Sequence, residues 1–205
     1  MKKFLSLMLV LALVLSFTAC KGTPRKTFTR GVVSGNSYES EFLGLGFKAG
    51  DGWYFYTEEE IAALYGVVSD QLEDFEEYLK NATVVYDMQA METATGNNVG
   101  INFEKLTPIT EPQLGDMKSF VAKLTPTVAN ALEQAGCTDV NYEPFEIEID
   151  GKTFYGGKTT ALLSGVELVQ AFICVKCDGY LSSITVTTIG DDAVSKIFDG
   201  FYVVD

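Results

Sequence analysis

The 205-residue chain contains no histidine, and its cationic residues are scarce. The lack of histidine excludes Ser-His-Asp and Cys-His catalysis, histidine general-base chemistry and nearly all catalytic zinc sites. With 15 Lys and Arg against 28 Asp and Glu, the formal net charge is −13. No stretch offers the basic face that nucleic-acid binding needs. We therefore expect no nucleic-acid partner, no catalytic residues, and no metal or other cofactor.

Long hydrophobic runs are also missing. The longest, residues 4–17, is interrupted by two serines and is shorter than the roughly 20 apolar residues of an ordinary transmembrane helix. Two lysines precede the run, and the small residues Thr18 and Ala19 follow it. This layout is typical of a secretory signal, which we assign to residues 1–19.

Cys20 follows this segment directly. An ordinary signal-peptidase cut after Ala19 would place Phe17 where a small residue is preferred. The stretch "FTAC" instead resembles the lipobox of bacterial lipoproteins. The resemblance implies that Cys20 receives a diacylglyceryl group, becomes the new N-terminus and anchors the protein on the extracytoplasmic face of the cell membrane. An uncleaved anchor and ordinary secretion are the alternatives.

Residues 20–26 are predicted to form a short basic tether. No acidic residue occurs between Cys20 and Tyr38, whereas Lys21, Arg25, Lys26 and Arg30 are basic. Each could gain up to about 1 kcal/mol beside anionic headgroups, although a simply solvated tether explains the same residues. The acidic remainder of the chain argues against a broad membrane-facing patch.

Three cysteines remain besides Cys20. Cys174 and Cys177 have the spacing of a redox motif, but their surroundings predict a strand that ends at a two-residue turn. Residues three apart in a strand point to opposite faces, about 10 Å apart, too far for a disulfide. We expect core packing for both; redox or metal use, or pairing with Cys137, is the alternative.

Residues 27–205 are predicted to form a single domain of the α+β class, in which helices cover both faces of an antiparallel sheet. We expect the protein to be a monomer. Thr57 and Glu60 predict a capped helix, and a second helix is expected over residues 70–80. A long helix is expected from residue 114 to Gly136, kinked or broken at Pro126. The predicted strands are a hairpin across "SGN", "LGFKA", "TVVYDMQAM", "VGINFEKL" and a final four-stranded meander whose first strand lies at an edge and bulges at Pro144.

The order of several short motifs resembles the PsbP-like sandwich domains and a group of small bacterial lipoproteins of unknown function. The opening "SYESEFLGLGFKAGDGWYFYTEEEIAAL" is followed by "YDM", a long helix, "DGK-F" and "DGYLSSIT". The resemblance implies an α/β/α sandwich used mainly to bind other proteins or macromolecular assemblies, and it carries over no catalytic residue.

Three groups of residues are candidate sites. Trp53, Tyr54 and Tyr56 could form an aromatic binding patch, although a lone Trp after a Gly corner also suits a core. The acidic residues at 70–77 could bind calcium or a basic partner, although carboxylates on a helix face are usually solvated. Glu146 and Glu148 share a strand face about 7 Å apart, a spacing compatible with glycosidase carboxylates. A glycosylation sequon begins at Asn81, which we discount in a bacterium.

These observations favour a membrane-tethered extracytoplasmic lipoprotein with a non-enzymatic binding or accessory domain. Its expected partners are the bilayer, through Cys20, and a protein of the cell envelope. The alternatives are a lipoprotein that captures a small molecule and an envelope hydrolase that uses carboxylates.

Overall fold

Two antiparallel sheets organise the fold. A computed structural model describes residues 26–66, 82–190 and 192–204. These residues form eleven strands and four helices. In chain order they are β1 (Val32–Ser34), β2 (Ser37–Ser40), β3 (Leu45–Lys48), β4 (Trp53–Phe55), α1 (Glu58–Tyr65), β5 (Val84–Glu92), β6 (Asn98–Lys105), α2 (Thr110–Gln113), α3 (Met117–Gln134), β7 (Thr138–Ile149), β8 (Lys152–Leu163), β9 (Val166–Cys177), β10 (Tyr180–Ile189), α4 (Val194–Phe198) and β11 (Phe201–Val203).

The larger sheet has the strand order β4-β5-β6-β10-β9-β8-β7, and the smaller one β1-β2-β3-β11. The α+β class and the antiparallel pairing are confirmed. The expected single sheet is wrong in one respect, because the first three strands leave it and pair with β11. The chain turns away between β3 and β4 at the Gly-rich corner, where Gly52 has a φ of +82° that favours glycine.

Helices cover both faces of the larger sheet, as predicted. On one face, Val121 and Val128 of α3 pack with Phe172 and Cys174 of β9. On the other face, α4 and the smaller sheet cover the main core, in which Phe198 is buried. The central strand β9 is covered on both sides, since the neighbours Phe172 and Ile173 are both fully buried.

Helix α1 begins as its sequence predicts. The Thr57 hydroxyl accepts a hydrogen bond from the Glu60 backbone N–H, and the Glu60 carboxylate accepts one from the Thr57 N–H. This reciprocal pair satisfies two donors that the first turn would otherwise leave free. At the other end of the helix, Tyr65 stacks on Tyr86 of β5 with ring centroids 3.6 Å apart. The second predicted helix, residues 70–80, lies outside the described residues.

Helix α3 differs from its prediction at two points. It begins at Met117, after Gly115 has turned the chain with a φ of +57°, and the Asp116 carboxylate caps it by accepting from the Ser119 N–H. It also runs unbroken through Pro126. The carbonyl deprived of a donor belongs to the exposed Ala122, where water can bond it, so the helix continues.

Two adjacent glycines of β8 allow two different close approaches. A Cβ on Gly157 would lie 2.2 Å from the Thr125 hydroxyl oxygen of α3. A Cβ on Gly156 would lie 1.6 Å from the carbonyl oxygen of Phe172 on β9. Neither contact is sterically possible, so Gly157 permits the spacing between α3 and the sheet, and Gly156 permits the fit of β8 against β9.

Strand β7 lies at the sheet edge, as Pro144 predicts. Its irregularity, however, is not at Pro144, which pairs in regular register with Gly157. The register shifts between Thr138 and Asn141, where Asp139 has a φ of +53° and takes up the extra residue. The predicted bulge is therefore real but lies five residues earlier.

A buried carboxylate connects the N-terminal segment to both sheets. Asp87 is the extra residue of a bulge in β5, between Tyr86 and Met88. Its side chain accepts hydrogen bonds from Arg30 Nε at 3.1 Å, from the Gly31 N–H at 3.0 Å and from the Tyr38 hydroxyl. We call Arg30, Gly31, Tyr38 and Asp87 the Asp87 cluster.

Arg30 completes the cluster with its remaining donors. Nη2 donates to the carbonyls of Tyr86 and Asp87 at 2.8 and 3.0 Å, and Nη1 lies 2.9 Å from the exposed Glu58. Burial raises the pKa of Asp87, and the hydrogen bonds of the cluster oppose that rise. Arg30, which the sequence suggested could lie beside lipid headgroups, therefore points into the folded domain instead.

We predict that replacing Asp87 by Asn destabilises the protein by about 3 kcal/mol, because the Arg30 guanidinium loses its buried counter-charge. Urea unfolding, followed by circular dichroism, measures this loss. Glu58→Gln is the matched control, because it removes the exposed carboxylate from the same arginine and should cost less than about 1 kcal/mol. Equal losses in the two variants would show that the buried charge has no special role.

Candidate functional site

A cleft of about 370 Å³ opens between the smaller sheet, the β5–β6 turn and α4. Aromatic side chains and charges of both signs share its walls. The lining residues are Phe47, Lys48, Gly50, Asp51, Trp53, Glu92, Thr95, Asn97, Ala193, Lys196, Ile197 and Gly200. We call this the Trp53 cleft.

Trp53 forms an apolar wall of the cleft. Strand β4 turns its side chain toward the main core, where the indole meets the ring of Phe47 edge-on with centroids 5.7 Å apart. The indole is only half-buried, so it packs on the core with one part and faces the cleft with another. The core interpretation of Trp53 is thus confirmed for the packed part of the ring, and the binding interpretation stays a prediction.

The floor of the cleft is held by the β5–β6 turn. The buried Asn97 donates from Nδ2 to Glu92 at 3.1 Å and accepts at Oδ1 from the Ile189 N–H at 3.0 Å. Thr95 donates its hydroxyl to the same Glu92 carboxylate at 2.6 Å. Glu92 is thereby engaged in closing the turn, and the turn is fixed to the end of β10.

Three charged side chains at the cleft are free to meet a ligand. Among the residues that the structure describes, Lys48, Asp51 and Lys196 have no ion-pair partner, and all three are exposed. Lys48 lies on β3, Asp51 in the Gly-rich corner and Lys196 on α4. The cleft can therefore combine stacking on Trp53 with ion pairs to groups of either sign.

Tyr54 and Tyr56 do not join Trp53 in one patch. Alternation along β4 places them on the opposite face, where their rings lie 5.4 Å apart. The Tyr54 hydroxyl donates to Glu60 at 2.5 Å, and this hydrogen bond raises the pKa of Tyr54. The structure thus divides the predicted aromatic patch into a cleft residue and a tyrosine pair beside α1.

The carboxylates that suggested a hydrolase lie on an open edge. Glu146 and Glu148 belong to β7, where both are exposed. Glu146 lies 3.5 Å from Lys118 of α3, on the surface. Neither residue lines the Trp53 cleft. The acidic stretch at residues 70–77 and Asn81 lie outside the described residues.

The three described cysteines are free thiols. Cys174 packs in the cluster beneath α3, whereas Cys177 packs against the main core on the other face of β9, so the prediction of opposite faces is confirmed. Burial raises the pKa of the Cys174 thiol and of the Cys177 thiol to about 12, which leaves little reactive thiolate of either residue at neutral pH. Cys137 is buried in a third cluster, beside Leu132.

Glu104 has an unusual pKa that its sequence does not indicate. The residue lies on β6, on the face of the larger sheet that α3 covers, near Cys174. The charge of Glu104 helps to raise the pKa of Cys174. Burial raises the pKa of Glu104 to about 7. Perturbed carboxylates often mark functional sites, but this one does not line the Trp53 cleft.

The predicted leader and anchor, residues 1–19 and Cys20, lie outside the described residues, as does the tether up to residue 25. Lys26, the last tether residue, is described: its backbone N–H donates to the Asp178 carboxylate at 2.5 Å. No helix within the described ranges has the length and hydrophobicity to cross a membrane. In the same ranges, no three potential ligands of the His, Cys, Asp and Glu types come together as a metal site.

Comparisons with known proteins give similarity of fold alone. No protein-family model matches the chain, and no curated protein matches it. The cyanobacterial PsbP protein CyanoP from Synechocystis sp. PCC 6803 is similar in structure, with 16% identity, 91% of this chain and 98% of that chain covered, and a TM-score of 0.47. LpqN, involved in cell envelope biogenesis of Mycobacterium tuberculosis, has 9% identity, coverage of 78% and 83%, and a TM-score of 0.44.

Sequence reasoning missed most of the cleft. Its lining comes from β3, the Gly-rich corner, the β5–β6 turn and α4, which are separated by up to about 150 residues. No local pattern relates Lys48 to Lys196, since their proximity depends on where β11 pairs. The one usable signal was the lone tryptophan after a Gly corner, Trp53.

We predict that Glu104→Gln raises the thermal midpoint at pH 8 more than at pH 4. Burial raises the pKa of Glu104 in the folded protein to about 7, above its value in the unfolded chain. The protonated carboxyl group therefore contributes its full stability below the unfolded pKa, and this stability is lost as the pH rises through about 7. The variant escapes this loss because it never ionises. Thermal unfolding of both proteins across this pH range measures the difference.

Glu148→Gln, which removes a carboxylate from an exposed site on β7, is the control for loss of a surface charge and should change the thermal midpoint little. A shift for Glu104→Gln that does not change with pH would mean that the carboxyl group is not held neutral by burial.

Proposed function

We propose that the protein is an extracytoplasmic lipoprotein, anchored in the cell membrane through Cys20, whose domain binds a partner at the Trp53 cleft and catalyses no reaction. The single observation that carries the binding role is the composition of the cleft. A half-buried indole faces one space together with Lys48, Lys196 and Asp51, which form no ion pair with any other residue that the structure describes. Such a combination suits recognition, because the aromatic surface gives contact area and the charges give specificity.

A segment of an envelope protein is the partner we favour. The cleft is open to solvent along the exposed side chains of Asp51 and Lys196, so an extended chain can lie across it. Trp53 offers the kind of rigid aromatic surface that often contributes most to a protein interface. The lysines and the aspartate can then select a sequence of complementary charge.

Capture of a small molecule is the second candidate. The volume of about 370 Å³ falls at the lower end of the roughly 300–1,000 Å³ usual for ligand pockets. Native mass spectrometry of the purified protein separates the two candidates. A bound molecule that is lost in Trp53→Ala would favour small-molecule capture over a protein partner.

We predict that Cys20→Ala abolishes fatty-acid labelling and releases the protein from the membrane fraction, because the thiol is the proposed attachment point. Labelling of growing cells with an alkyne fatty acid, followed by fractionation, measures both effects. Cys177→Ala is the matched control and should change neither. Labelled, membrane-bound protein from the Cys20 variant would refute the anchor.

We predict that a photoreactive benzoylphenylalanine in place of Lys196 cross-links to a discrete protein in intact cells, because position 196 borders the cleft. The same group in place of Lys123, an exposed residue of α3 on the opposite face of the larger sheet from the cleft, should give no such product. The measurement is a shifted band on a gel of the tagged protein. Equal products from the two positions, or none from either, would contradict a protein partner at the cleft.

A further inference from the structure

The strands of the larger sheet run between two poles of the domain. Strand register places Tyr180 of β10 beside Lys105 of β6 at one end, and Thr187 beside Asn98 at the other. With ten residues in β10, the ends lie about 30 Å apart at roughly 3.3 Å per residue. We call the first end the tether pole and the second the cleft pole, since Asn97 and Glu92 of the Trp53 cleft lie there.

The N-terminal segment joins the domain at the tether pole. The Lys26 N–H donates to Asp178, in the turn between β9 and β10. The Gly179 carbonyl of this turn accepts from the Leu106 N–H, just beyond β6. Between Cys20 and Lys26 the chain can span at most about 21 Å, at roughly 3.5 Å per residue. Under the proposed anchor, this pole therefore stays close to the bilayer.

An apolar loop projects from the same pole. Ile109 is 46% exposed, and Pro108 beside it is exposed as well. The loop is fixed, because the Thr107 N–H donates to the Thr110 hydroxyl at 2.9 Å and the Thr110 N–H donates to the Thr107 hydroxyl at 3.1 Å. The isoleucine is thus held outward by the local structure.

Lysines lie around this loop together with carboxylates. Lys26 and Asp178 meet at the β9–β10 turn, Glu104 and Lys105 end β6 before the loop, and Lys176 lies 3.3 Å from Glu111, just after the loop. Lysines beside an exposed apolar residue suit the boundary between anionic headgroups and acyl chains. The feature is one loop, much smaller than the broad patch that the net charge argues against.

The cleft pole lies at the far end of the sheet from the tether. Its charges are of both signs, with Asp51 and Glu92 balanced by Lys48 and Lys196 at the cleft. The two ends of the sheet thus differ in their distance from the N-terminal segment, which joins the domain at the tether pole.

We propose that the tether pole contacts the bilayer, with Ile109 inserted at the level of the headgroups, so that the Trp53 cleft faces away from the membrane. This inference rests on the proposed Cys20 anchor for its proximity, but the contact itself is a separate interaction of the 107–110 loop with lipid. It places the open cleft about 30 Å farther from the bilayer, the approximate length of β10, where a partner in the extracytoplasmic space can reach it.

Trp53 is the single tryptophan of the chain. In a Trp53→Phe background, a tryptophan introduced elsewhere is therefore the only one in the protein. We compare Ile109→Trp with Val166→Trp, a matched control at the cleft pole whose native residue is 44% exposed. Each full-length lipidated variant is reconstituted in vesicles of phosphatidylcholine and phosphatidylglycerol that contain brominated acyl chains, which quench a tryptophan that they contact.

We expect the fluorescence of Ile109→Trp to be quenched at least about twofold more than that of Val166→Trp, because only the former reaches the acyl-chain boundary. Its emission should also shift to shorter wavelength on vesicle binding. Equal quenching, or stronger quenching of Val166→Trp, would overturn the proposed orientation. No quenching of Ile109→Trp on vesicles that carry the protein would overturn the lipid contact.

A second form of attachment distinguishes this inference from the anchor. In the second form, a hexahistidine tag replaces residues 1–19 of the same variants and binds them to nickel-chelating lipids. Because the chain itself contains no histidine, the nickel binds histidine only at the tag. The described strands and helices all lie beyond residue 25, so this form keeps them. If the protein purified from cells does not float with vesicles, the Cys20 anchor is refuted. The ratio of quenching between Ile109→Trp and Val166→Trp on nickel-chelating lipids then still tests the contact of the 107–110 loop with lipid.

Discussion

The buried carboxylate of Asp87 is the constraint on which the arrangement of the two sheets depends. An ionised group without solvent is costly unless hydrogen bonds and an opposite charge compensate it. The compensating groups come from separate parts of the chain: Arg30 and Gly31 from the N-terminal segment, and Tyr38 from the smaller sheet. Asp87 itself belongs to the larger sheet. Its hydrogen bond from Tyr38 can therefore form only when the smaller sheet has this position relative to the larger one.

The position of the smaller sheet in turn creates the Trp53 cleft. Strand β3 contributes Phe47 and Lys48, while the larger sheet contributes Trp53 and Glu92. The two walls meet through the contact between the rings of Phe47 and Trp53, and beyond that contact they separate. The cleft is thus a gap between two sheets whose relative position is set elsewhere, by the shared hydrophobic core and by the Asp87 cluster. A change in the Asp87 cluster can therefore alter the cleft without touching its lining.

Local patterns in the sequence predicted the elements better than their assembly. The capping box of α1, the opposite faces of Cys174 and Cys177, and the edge position of β7 all depend on residues close together in the chain. The Asp87 cluster does not, because the sequence grouped Arg30 with the basic residues near the tether and gave Asp87 as part of an ordinary strand. Pro126 failed as a helix breaker for a similar reason: whether the freed carbonyl meets water depends on which face of α3 is exposed, which tertiary packing decides.

The segment before β1 relates the proposed anchor to this same core. Lys26 is bonded to Asp178, and Arg30 is bonded to Asp87. Between them, Phe28 packs edge-on against Phe103 with ring centroids 5.0 Å apart. Three fixed points within five residues make this segment part of the folded body. A short anchor attached to a rigid body limits how far the domain can tilt, whereas one attached to a loose segment would not. For a protein held in this way, the pole at which the chain leaves the domain decides which surface remains available to a partner.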